Sequence, residues 1–182
     1  MRDIISLFRL IITPHSGWVR IFQQTSSQRL ERNFFFPLLA LLSVSAIGYF
    51  WQEPTATLID VLVRAILFFT AYFIGYLAIC GIINAAAQHI FVKEDAALQS
   101  RIKYFSMYCL SILILSQVVQ NLLPAPLALL DLFPLYLLII IWQSLDFFEF
   151  KKDRNTYFFV GSFILMTGVP YLIFTILDKI GP

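Results

Sequence analysis

The sequence predicts an all-α fold: a polytopic membrane bundle of five transmembrane helices preceded by a short amphipathic interfacial helix. Three observations predict it. First, the 182 residues are 59% hydrophobic and 16% aromatic but only 13% charged, with a mean hydropathy of +0.80. Soluble domains carry about 25% charged residues, and a soluble core of this size cannot hide so much apolar surface. Second, no Asp, Glu, Lys or Arg occurs between Ala65 and Val92. As a helix rising ~1.5 Å per residue, that stretch reaches roughly 42 Å, more than a hydrocarbon core of ~30 Å requires. Third, the positive charges fall almost entirely on one side of a five-span arrangement.

Residues 1–33 form a cytoplasmic, interfacial segment. Met1, Ile4, Ile5, Phe8, Ile11 and Ile12 make an apolar stripe at helical spacing, with Arg2 and Arg9 off it. Thr13-Pro14 interrupts the helix. Pro14 suits the first turn of a second helix, with Thr13 as its cap. That helix carries Trp18, Val19, Ile21 and Phe22 around Arg20. Both are too short to span and are expected in the interface plane; the alternative is packing on the protein's own cytoplasmic face.

The membrane domain covers 34–177, with spans near 34–51, 61–88, 104–123, 127–145 and 156–177, and 178–182 is a tail. The first is bounded by Phe34, Phe35 and Phe36 at one end and by Tyr49, Phe50 and Trp51 at the other. The second carries Ala71, Gly75, Ala78, Gly81 and Ala85, spaced 4, 3, 3, 4 along one helix face. Such a face lets another helix approach closely in lipid, so this helix is expected to be the axis of the bundle. The third carries Ser106, Ser111, Ser116, Gln117, Gln120 and Asn121, and Pro124-Ala125-Pro126 ends it. The fourth has Asp131 and Pro134 near its start and Trp142 near the far boundary. The fifth contains Gly161, Gly168 and Pro170, with a kink expected at the proline. Trp18, Trp51 and Trp142 are the expected interface anchors.

Eleven Lys and Arg residues fall on the side of the N-terminus and of the loops after the second and fourth spans. Lys179 and Arg64 make two on the other side. This asymmetry implies a multi-pass protein with the N-terminus in the cytoplasm and the C-terminus outside; the expected membrane is a bacterial cytoplasmic (inner) membrane. No secretory signal is evident, because Arg9 breaks the first apolar stretch. Nor is there a myristoylation or prenylation box.

The segment Ile11-Ile12-Thr13-Pro14-His15-Ser16-Gly17-Trp18-Val19-Arg20-Ile21, followed by Phe36-Pro37-Leu38-Leu39-Ala40 at the start of the first span, resembles the prokaryotic branch of the Yip domain family. The resemblance implies five spans over nearly the whole chain. Eukaryotic relatives are linked with Rab GTPases and vesicle traffic. This sequence lacks the Asp-Leu-Tyr-Gly-Pro-like motif ahead of their membrane domain, so Rab binding is not carried over.

Candidate chemistry is sparse. Arg64 lies four residues after Asp60 and can pair with it on one helix face, or it can meet Asp131 at a polar cavity. Asn84, Gln88 and His89 cluster near the opposite end of the same helix, either lining an inner vestibule or bonding between helices and to headgroups. Gln117, Gln120 and Asn121 invite the same two readings. Cys80 and Cys109 lie in apolar helices, without metal-ligand or redox spacing. No catalytic motif or phosphate-cradling loop occurs, no cofactor or metal is implied, and no basic stripe points to nucleic acid. The expected function is a non-enzymatic membrane scaffold or adaptor for membrane organisation or trafficking-type processes. Its partners would be the bilayer, other membrane proteins or a second copy of itself. The alternative is a small transporter or lipid-moving protein using polar groups between helices.

Overall fold

The computed structural model describes residues 2–23, 27–93, 95–123, 130 and 132–180. Among them the chain is helical throughout, and one isolated bridge, Phe91 to Phe150, is the sole β pairing. Four helices are long and apolar enough to cross a membrane: Glu31–Gln52, Leu58–Ile90, Ala96–Leu122 and Asn155–Lys179. A shorter apolar helix covers Phe133–Phe147.

Two short helices open the chain, α1 (Arg2–Ile12) and α2 (Pro14–Phe22). They turn sharply at Thr13. A Cβ on Gly17 would lie 2.6 Å from the Cα of Leu10, so only glycine lets the two helices approach this closely. Thr13 does not cap α2, as its position suggested. Its hydroxyl donates back to the carbonyl of Arg9 (3.1 Å) and accepts from Ser16 (2.7 Å).

A single turn, Ser27–Leu30, leads into α3 (Glu31–Gln52). This helix changes pitch along its length. It begins as a π-helical turn (Glu31–Phe35), runs as α-helix through Ser45, tightens to 3-10 over Ala46–Gly48, and ends at Gln52. Pro37 is the second residue of the α-helical stretch that directly follows the π-helical turn; its missing N–H and the π turn both interrupt the regular ladder at this point. The tightened stretch lies hard against the next layer. A Cβ on Gly48 would come 1.8 Å from the carbonyl oxygen of Asn121.

Helix α4 (Leu58–Ile90) opens with a capping box in which Thr57 and Asp60 exchange side-chain-to-backbone bonds. Helix α5 (Ala96–Leu122) is capped by Asp95, whose carboxylate accepts from the amide of Leu98 at 2.7 Å. Residues 96–103, which precede the span expected near 104–123, are continuous with it. The described part of the fourth span is α6 (Phe133–Ser144), extended by a 3-10 turn to Phe147 and started by Pro134. Helix α7 (Asn155–Ile180) continues through Pro170, whose ring packs against Gly75 of α4.

The axis of the bundle is α5, not α4 as expected. Of the apolar window of α5, 78% is buried, against 39% for α4. The reason is polarity. α4 has the highest mean hydropathy of the four long helices (2.2) and α5 the lowest (1.6). In lipid an apolar helix loses little by facing outward, whereas polar side chains are disfavoured against hydrocarbon and turn towards the other helices. Ser106, Ser111, Ser116 and Asn121 are accordingly buried on α5.

The small-residue stripe of α4 engages only over its first half. Ala71 and Gly75 are buried and meet α7. Ala78 is half-buried, and Gly81 and Ala85 are exposed, with open space beside Gly81.

Candidate functional site

The two ends of the bundle are built differently. At one end the turns after α4 and α6 are zipped together. Val92 donates to the carbonyl of Glu149 and Lys151 to that of Ile90, both at 2.9 Å. Asp153 closes the neighbouring turn with φ 61°, a conformation that Asp tolerates better than most side chains. Rings fill the space beneath. Phe91, Phe105, Phe148 and Phe158 contact one another with centroids 5.2–5.9 Å apart, and Trp18 lies against Phe105 and Phe22. Trp18, expected at the interface, is fully enclosed. It is 0% exposed, and its indole N–H donates to the carbonyl of Ile140 at 2.9 Å. A buried indole needs such a partner, and a helix carbonyl of α6 supplies it. Trp51 and Trp142 do lie on the surface, each 59% exposed.

The other end holds a cavity of about 350 Å³, within the ~300–1,000 Å³ range of small-molecule sites. Three helix faces wall it: Arg64, Phe68 and Tyr72 of α4; Leu113, Ser116, Gln117 and Gln120 of α5; and Met166, Thr167, Pro170, Tyr171 and Phe174 of α7. Leu130 and Pro134 complete the lining. Each set follows helical spacing, one residue or pair per turn. Pro170 contributes in a second way: lacking an N–H, it leaves the carbonyl of Met166 without its intrahelical donor.

Beside the cavity, a polar seam ties α3 to α5. Gln117 donates to the Asn121 side-chain oxygen (3.0 Å), and Asn121 donates to Ser45 (2.9 Å). The Gln52 amide reaches the carbonyls of Gln120, Asn121 and Leu123 at 3.1–3.4 Å. These bonds satisfy the end of α5, where helix carbonyls lack internal donors.

The structure divides the expected site residues. Arg64 and Gln117 come together at the cavity. Asp60 does not pair with Arg64. Its carboxylate is taken by Thr57, from the backbone N–H and the hydroxyl at 2.7 Å each, while the Arg64 guanidinium lies 4.4 Å from the centroid of the Tyr49 ring. Asp131 lies outside the described residues. Asn84, Gln88 and His89 are not among the residues that line this cavity: Gln88 and His89 are exposed and touch each other (3.3 Å), and Lys151 donates to the Gln88 carbonyl at 2.5 Å.

Two groups went unforeseen. Tyr72 lies two turns from Arg64, an i, i+4, i+8 face through Phe68 that the sequence contained. Tyr76 donates to Glu31 at 2.7 Å, and here sequence carried no signal, because the partner lies 45 residues away on a π-helical turn. Among the described residues no group of three or more His, Cys, Asp or Glu could hold a metal. Comparison of the chain with protein-family models, curated proteins and solved structures finds no match to any of them.

Proposed function

We propose that this chain is a non-enzymatic, multi-pass membrane protein whose helices hold a lipid-like molecule, the binding step of a lipid-carrying or small transport function. The cavity carries this reading. It is walled by three helices, is mainly apolar, and has polar groups concentrated towards Arg64, Gln117 and Gln120.

The proposal includes five crossings. Pro134 lies at the cavity with the start of α4 and the end of α5, and the carbonyl of Phe147 accepts from Arg101 near the start of α5 at 2.9 Å. Thus α6 connects the same two layers as the long helices. Its 15 residues to Phe147 would reach only ~22 Å, a mismatch that local bilayer thinning absorbs. Lys93, Arg101, Lys103, Lys151, Lys152 and Arg154 belong to the aromatic end, and this supports a cytoplasmic side for that end; a bacterial inner membrane is part of the same proposal. Ile4, Ile5, Phe8 and Ile12 of α1 are exposed while Leu7 and Leu10 pack inward. An outward apolar face of this kind suits an interfacial helix. Kinship with the Yip domain family belongs to the same proposal, on the Pro14-to-Trp18 segment and the helix order.

The test is native mass spectrometry of the protein released from phospholipid nanodiscs. The wild type should retain lipid, and the cavity-filling variants Ser116→Phe and Thr167→Phe should lose it while staying monodisperse. Retention equal in all three would sink the proposal. The scaffold reading keeps one observation in its favour, the exposed Gly81 and Ala85 of α4, which suit helix association in lipid. It would gain if a cysteine at either position cross-linked two copies in native membranes.

A further inference from the structure

We propose that the cavity selects an amphiphile bearing an oxyanion headgroup: Arg64 holds the anion, and the acyl chain runs inward along Phe68 towards Leu113 and Met166. This rests on the ligand-holding reading above and adds the charge of the ligand to it.

The first argument is the state of Arg64. Among the described residues no carboxylate pairs with it. Its neighbours are ring faces, Tyr49 at 4.4 Å and Phe68 at 5.8 Å. A ring face offers no lone pair in place of an oxyanion, and among the described residues no hydrogen-bond acceptor takes the five guanidinium N–H donors. An arginine on an apolar helix is costly without a partner, and a bidentate oxyanion is the partner its geometry fits. The second argument is the lining. Among the described residues it contains one cation and no Asp or Glu, so none of them offers an ammonium-bearing headgroup a counter-charge.

The third argument is the gradient of polarity. Tyr49 and Gln52, which meet Arg64 and the end of α5, put Arg64 and Gln120 at the same end of the bundle. From Gln120 the α5 wall passes through Gln117 and Ser116 to Leu113. From Arg64 the α4 wall passes through Phe68 to Tyr72, about 12 Å along the helix. Both walls are most polar at the same end. The hydroxyls of Tyr72 and Ser116 make no hydrogen bond among the described residues and are free to meet the carbonyl oxygens of a glycerol ester.

The headgroup chemistry has two sources, a phospholipid phosphodiester and a fatty-acid carboxylate, and the experiment separates them. The full-length protein is reconstituted in nanodiscs of equimolar phosphatidylglycerol and phosphatidylcholine with identical chains. A parallel set contains phosphatidylcholine with oleate, and lipid retained after release is counted by native mass spectrometry. The wild type should retain phosphatidylglycerol over phosphatidylcholine by about tenfold, the size of one charge-assisted interaction. Arg64→Gln should bring that ratio to near one without abolishing retention, and Arg64→Lys should keep part of it. Preferential retention of oleate without phosphatidylglycerol would identify the carboxylate as the source and uphold the inference.

Equal retention of the two phospholipids by the wild type, with no oleate, would overturn it and leave the ligand-holding proposal intact. So would a preference that appears only in Asp131→Asn, since Arg64 would then belong to that carboxylate. Retention of no lipid at all would overturn both.

Discussion

One end of this bundle is closed by rings and the other is left open, although the same helices build both. At the closed end, two loops pair through backbone hydrogen bonds and Phe91, Phe105, Phe148 and Phe158 fill the space beneath. Trp18 brings the N-terminal hairpin into the same cluster. At the open end the helices meet through a polar seam on one side only, between α3 and α5. On the other side α4, α5 and α7 wall the cavity. The difference lies in what each end asks of its side chains. Large apolar rings need no hydrogen-bond partner and fill space by packing offset or edge to face. Arginine, amides and hydroxyls require partners, and where the protein supplies none a ligand can.

This comparison can be broken by substitution, with thermal unfolding in detergent as the readout. The largest effect belongs to the closed end: Phe105→Ala, in the fully buried ring cluster, should cost about 3–5 kcal/mol. Gly48→Ala tests whether the open end is rigid on its seam side. Its new methyl would strike the Asn121 carbonyl, at a cost of about 1–3 kcal/mol; an unchanged midpoint would mean that α3 and α5 slide freely there. Trp18→Phe removes one buried hydrogen bond to Ile140 and should cost about 1 kcal/mol, detaching α1 and α2 before the spans unfold, as limited proteolysis would reveal. The smallest effect is Arg64→Met at the cavity mouth, within about 0.5 kcal/mol. If Arg64→Met destabilised as much as Phe105→Ala, the cavity would be a structural joint and the distinction between the ends would collapse.

Much of the architecture was legible in the sequence because hydropathy is a local property. The uncharged run after Arg64, the polar residues of α5 and the prolines at 14, 37 and 134 locate helices without knowledge of their neighbours. The helix break at Thr13-Pro14 was visible for the same reason, but not that the two short helices fold onto each other. Partner choice was not. The stripe from Ala71 to Ala85 marked a packing face, but only the crossing of α7 at Pro170 and Gly75 decided that half of it would be covered. Asp60 and Arg64 share a helix face, yet the capping demand of Thr57 took the carboxylate first. Trp18 carried the composition of an interface anchor and became a core residue because α6 offered it a carbonyl.

The sequence by itself determined an all-helical chain rich enough in apolar residues to cross a membrane several times, and it singled out Arg64 and Gln117. Only the tertiary structure decided that α5, rather than the longer and more apolar α4, is the axis. It also decided that Arg64 and Gln117 face one cavity together with Tyr72 and Ser116. The physical reason is that hydropathy sets the cost of leaving water one residue at a time. Enclosure and hydrogen-bond satisfaction depend on which helices meet, and that is a property of the whole bundle.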